Sequence, residues 1–65
     1  MRMSESYFIR FAYFSEQEGK DCFFHVDLLG IPERGDLVEI DGKFREVRCR
    51  VWYADGSDLI EIKLQ

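Results

Sequence analysis

Apolar and polar positions alternate along most of this chain, and short runs of glycine, proline and acidic residues interrupt the alternation. A period of two marks strands, because successive side chains of an extended backbone point to opposite faces. Residues 6–14 include Tyr7, Phe8, Ile9, Phe11, Tyr13 and Phe14, all good β-formers, and predict a first strand. A polar stretch around Gly19 closes a hairpin onto a second strand over 22–29. Residues 30–36 form a turn in which Pro32 sets φ and glycines permit positive φ. A short third strand, 37–40, is followed by Asp41-Gly42, the dipeptide that a type I′ hairpin turn favours. The pattern then predicts a long fourth strand over 43–53, a turn through Gly56, and a last strand over 59–64. Ile60, Ile62 and Leu64 share one face of that strand, with Glu61 and Lys63 on the other.

No window holds a helical period; at most one turn of 3₁₀ is expected near 31–34. Five short strands in 65 residues predict a single all-β domain, a small, strongly bent antiparallel sheet or partly open barrel. A flatter sheet completed by a second subunit is the main rival.

The fourth strand carries the candidate chemistry. Strict alternation puts Val47, Cys49 and Val51 on a core face and Phe44, Glu46, Arg48, Arg50 and Trp52 on the other. Two guanidinium groups between two large rings suit an anionic or planar ligand, since Arg forks match phosphate and carboxylate while rings stack. Phe44, Arg48, Arg50 and Trp52 are therefore the candidate ligand site. The plainer alternative is a solvated face on which each Arg pairs with Glu39, Glu46 or Glu61. The first strand offers a second surface. Tyr7, Ile9, Phe11 and Tyr13 lie on one face and Phe8, Arg10, Ala12 and Phe14 on the other, both too apolar to face water. A chain this short buries only about 60% of its unfolded surface, so ten aromatic residues exceed what its core can hold. Self-association through Tyr7, Phe8, Phe11 and Phe14, most simply as a symmetric dimer, is the expected remedy.

Charge narrows the partners. The formal net charge is −4, and it is unevenly placed. Residues 1–41 hold nine acids against four bases, and residues 42–65 hold four acids against five bases. A duplex-DNA binder draws its affinity from neutralising phosphates, so an acidic chain argues against that role. No apolar run reaches the ~18 residues of a membrane span, and the first seven residues lack the apolar core of a secretory signal. A cytoplasmic setting is expected, with Cys22 and Cys49 reduced and Cys49 filling the core. Two separated cysteines and one histidine do not make a zinc set. His25 and Asp27 resemble a base and its orienter, but no nucleophile is placed to meet them, and no glycine-rich phosphate loop precedes a helix. The chain reads as non-enzymatic and without a cofactor.

The stretch Ile31-Pro32-Glu33-Arg34-Gly35-Asp36-Leu37-Val38-Glu39-Ile40-Asp41-Gly42-Lys43-Phe44, followed by a valine-rich strand ending in Trp52 and a short last strand, resembles small SH3-like β-barrels of phage and mobile-element type. The likeness covers residues 31–64. It implies either a sponge that sequesters a small nucleotide signal within a homo-oligomer, or an inhibitor or adaptor of a host protein acting through an aromatic surface or an edge strand. The sequence departs from the pattern at Arg45, Arg48 and Arg50, where apolar or acidic residues are expected.

Overall fold

A computed structural model describes residues 6–65 of the chain. Five strands form one sheet: β1 (Tyr7–Ser15), β2 (Lys20–Leu28), β3 (Leu37–Ile40), β4 (Lys43–Trp52) and β5 (Leu59–Leu64). No helix occurs among the described residues, and residues 31–34 do not make a 3₁₀ turn. The turns follow local chemistry. At the β3–β4 hairpin Asp41 and Gly42 take φ of 54° and 80°, as a type I′ turn requires. Before β3 the Glu33 amide donates to Asp36 Oδ2 (2.8 Å) and the Asp36 amide to the Glu33 carbonyl (2.9 Å), closing the loop that Pro32 opens. Between β4 and β5 the Ser57 amide donates to Asp55 Oδ1, which holds the Asp55 carboxyl below its ordinary range.

The strand order is β2-β1-β5-β4-β3. Neighbours are antiparallel except at the centre, where β1 and β5 run parallel, so the sheet is mixed rather than wholly antiparallel. The hairpin β1–β2 and the meander β3–β4–β5 each close locally, and β5 docks on the free side of β1. That docking sets Ile9 beside Ile60 and Phe11 beside Ile62. The link from β2 to β3 must then cross from one edge of the sheet to the other. Four flat interstrand spacings span about 19 Å, within the roughly 26–29 Å that an eight-residue link can reach, and curling the sheet shortens the crossing further.

The curl makes a half-barrel with its core on the concave face. Ile9, Phe11, Ile40, Val47, Ile60, Ile62 and Leu64 are buried there, with Tyr13, Val26, Leu28, Ile31 and Val38 packed against them. Phe11 is 3% exposed, so it belongs to the core and is not an interface residue. The barrel does not close. Between the edge strands a groove of about 580 Å³ runs past Phe24, Val26, Ile31, Pro32, Leu37 and Val38.

Arg45 secures the end of the central parallel pair. Its Nη1 donates to the carbonyls of Phe14 (3.0 Å) and Gln65 (3.1 Å), and its guanidinium lies 4.7 Å from the Tyr13 ring centroid. One cation thus ties the carboxyl ends of β1 and β5 together and covers a core aromatic. The departure from the resembled pattern at Arg45 is structural.

Because Ile62 has no exposed surface and sits in the central strand, Ile62→Ala is expected to lower stability by about 2–5 kcal/mol in urea unfolding. Phe44→Ala removes a ring that is 69% exposed and should cost less than about 0.5 kcal/mol.

Candidate functional site

A bulge in β4 redistributes the residues that alternation groups together. Val47 pairs with Leu64, but Cys49 pairs with Lys63, leaving one extra residue on β4 at this point. Such an insertion reverses which face each following side chain occupies. Beyond it Arg50 is in register with Ile62 and Trp52 with Ile60, on the core rows, while Cys49 and Val51 align with Lys63 and Glu61 on the outer face. Phe44 precedes the bulge and pairs with Glu39, on the face opposite Val38 and Ile40. Phe44, Arg48, Arg50 and Trp52 therefore do not form one surface. Cys49 is exposed rather than core filling, and both cysteines are free thiols.

Nor are the two arginines paired as surface ions. Among the described residues the ion pairs are Arg10–Glu61 and Lys20–Glu18, and neither Arg48 nor Arg50 meets Glu39, Glu46 or Glu61. Their position gives a different reading. β3 covers β4 only as far as Glu46, with Gly35 and Asp36 bonding to Val47, so residues 48–52 form an open edge. A bulge and two cations on such an edge discourage pairing with another strand.

Trp52 borders a cleft of about 570 Å³ at the end of the sheet, with Tyr7, Phe8, Tyr53 and Leu59. Asp27 and Asp58 line it as well, and among the described residues no lysine or arginine does. Among the described residues a nucleotide phosphate finds no counter-charge there.

The outer face of the central strands holds the arrangement that the sequence reading missed. Arg10, Glu61 and Val51 lie in one row across β1, β5 and β4, with His25 of β2 at its end. Arg10 Nη2 donates to Glu61 Oε1 at 2.6 Å, and the Tyr53 hydroxyl donates to the same oxygen at 2.5 Å. Arg10 also reaches the Tyr53 hydroxyl at 3.2 Å. The guanidinium is flanked by Phe23, 5.4 Å from its centroid, and by the Tyr53 ring at 6.0 Å. This cover leaves Glu61 6% exposed although it faces away from the core. Arg10 Nε is buried without an acceptor among the described residues. Burial alone would raise the Glu61 carboxyl, but the Tyr53 and Arg10 hydrogen bonds outweigh it and hold the group below the ordinary carboxylate range. The same hydrogen bond to Glu61, then burial, pushes the Tyr53 phenol up. A lone arginine amid Phe8, Ala12 and Phe14, and a lone acid between Ile60 and Ile62, were the available signals.

Around this fixed centre the outer face is apolar and open. Phe8 (44% exposed), Phe14 (51%) and Phe23 (56%) stand on the β1–β2 hairpin without cover. Phe8 and His25 stack, with centroids 5.7 Å apart and an interplanar angle of 25°. A shallow hollow of about 520 Å³ beside them is lined by Phe14, Phe23, Asp21, Arg48 and Lys63. Arg48 and Lys63 are the cations of that hollow. Cys49 lines it too, whereas Cys22 lies on the other face of β2, where burial and the Glu18 carboxylate push its thiol up, away from the reactive thiolate. Among the described residues no group of histidine, cysteine and acidic side chains is spaced to hold a metal ion.

No protein-family model, curated protein or solved structure matches the chain.

The lowered Glu61 carboxyl has a defined consequence for stability. A folded-state value below the unfolded one contributes stability above the ordinary carboxylate range, lost as pH falls through the folded value. Urea midpoints measured from neutral pH to below the carboxylate range should therefore fall on acidification, and Glu61→Gln should flatten that fall. At neutral pH Arg10→Met should destabilise more than Glu61→Gln, because it leaves a covered carboxylate without its cation.

Proposed function

We propose that the chain is a non-enzymatic protein-binding module that engages its partner through the outer face of the β1–β2 hairpin. The observation that carries this reading is the uncovered trio Phe8, Phe14 and Phe23, held on one face above the Arg10–Glu61–Tyr53 centre. Three rings with about half their surface in water are costly in a free protein and suited to the apolar centre of an interface. The face is shallow and edged by Asp21 and Asp27 on one side and by Arg48 and Lys63 on the other. Its complement is an apolar protein surface bearing at least one carboxylate toward the β4–β5 side. This is the protein-directed arm of what the likeness to small phage barrels implies, an inhibitor or adaptor of a host protein. The nucleotide-sponge reading loses the geometry it relied on, because the bulge separates Arg50 and Trp52 from Phe44 and Arg48.

Site-specific photo-cross-linking in cells tests the proposal. A photoreactive phenylalanine analogue at position 14 should yield a discrete protein adduct, and Arg48→Glu should weaken that adduct severalfold with the fold intact. The same analogue at Phe44, more exposed than Phe14 but on the β3–β4 hairpin, should yield little. Equal adducts from both positions, or a nucleotide retained by the purified protein in native mass spectrometry, would overturn the reading.

A further inference from the structure

The half-barrel has three open edges, and they differ in how they are defended. β3 is only four residues long. Residues 48–52 of β4 carry a bulge, Arg48 and Arg50. β2 is nine residues long, pairs with β1 without a break in register, and has no proline. Its one lysine, Lys20, stands at its first position, so Asp21-Cys22-Phe23-Phe24-His25-Val26 presents a regular, unblocked row of backbone groups. Among the described residues nothing pairs with that side of β2. Short, charged and bulged edges resist strand addition, and a long regular one invites it.

We infer that β2 pairs antiparallel with β2 of a second copy of this chain, about a two-fold axis through Phe23, to form a continuous ten-stranded sheet. This rests in part on the reading of the β1–β2 hairpin as an interaction surface, and it names a partner for the hairpin's edge. The register follows from charge. A two-fold axis normal to the sheet keeps outer faces together, so it must pass through a single residue of β2. About Cys22 only five residues of each strand overlap. About Phe24 all nine overlap, but Asp21 faces Asp27 twice, a repulsive cross-strand pair. About His25 the two imidazoles oppose each other and Phe23 faces Asp27. About Phe23, Asp21 faces His25 twice, on either side of a Phe23–Phe23 pair, and Cys22 faces Phe24. Of these four registers it alone sets an acid against a histidine, and it avoids both the Asp–Asp and the His–His pairs. Asp21, Phe23 and His25 all lie on the outer face, and His25 is already oriented by its stack on Phe8. The pairing joins two outer faces edge to edge, so each dimer presents the aromatic trio twice across one surface.

Cysteine scanning tests the register. In a background of Cys22→Ser and Cys49→Ser, single Phe23→Cys, Phe24→Cys and His25→Cys variants are treated with a short thiol-to-thiol cross-linker. Phe23→Cys should give predominantly covalent dimer, since the residue on the axis meets its own copy, and the other two markedly less. Sedimentation equilibrium supplies the second measurement. Asp21→Lys should raise the dimer dissociation constant about tenfold, because both cross-strand Asp–His pairs lose their acceptor carboxylate. Adding His25→Glu should bring it back toward the starting value. A chain that stays monomeric at tens of micromolar, or cross-links best at position 24 or 25, overturns the inference. A monomer that still gives the position-14 adduct would leave the protein-binding proposal standing, so the two ideas fail separately.

Discussion

The parallel contact between β1 and β5 is the constraint on which the rest of this molecule depends. It sets Ile9 on Ile60 and Phe11 on Ile62, all buried, and joins a hairpin to a meander that would otherwise have no common core. On the concave side that contact is apolar. On the convex side it brings Arg10 beside Glu61, and Tyr53 closes over the same carboxylate oxygen. At its carboxyl end Arg45 bonds the carbonyls of Phe14 and Gln65. The central pair is thus fastened on both faces and at one end, each time by residues far apart in sequence. A small domain has little apolar area to spare, and distributing polar fasteners around one strand pair compensates for it.

The strands were legible because their boundaries are set by neighbours. Gly19, Pro32, Asp41-Gly42 and Gly56 act through φ and through hydrogen bonds two or three residues away, and the observed strands begin and end within two residues of the expected ones. The parallel pairing was not legible, since nothing near Tyr7 or Leu64 records which strand will lie beside it. The faces of β4 were legible only as far as Val47. No glycine or proline marks the bulge, so alternation carried past it assigns Arg50 and Trp52 to the wrong side and Cys49 to the core. The expected grouping of Phe44, Arg48, Arg50 and Trp52 on one face breaks at that one backbone irregularity. Exposed aromatics were foreseen on the first strand, but Phe11 is core, and Phe23 on β2 takes its place among the uncovered rings.

Charge in this protein is used locally more than globally. The net −4 says little about the outer face, where one cation is tied to Glu61 and two others border a hollow of mixed polarity. Arg45, Arg48 and Arg50 look alike in the sequence and have separate positions: a clamp on strand ends, a wall of the outer hollow, and a charge on an open edge. Spacing on a strand does not distinguish them. The backbone partner of each one does.

The separation along the chain of the two central strands also sets the order in which the molecule can form. Arg10 and Glu61 are 51 positions apart, and the core pairs Ile9–Ile60 and Phe11–Ile62 share that span. Closing so long a loop is entropically slow, and domains dominated by such distant contacts fold in milliseconds to seconds rather than microseconds. The β1–β2 hairpin closes locally, whereas the other side of β1 stays bare until the last strand docks on it. The folding chain therefore has a period in which its stickiest segment is paired and its cover is not yet in place.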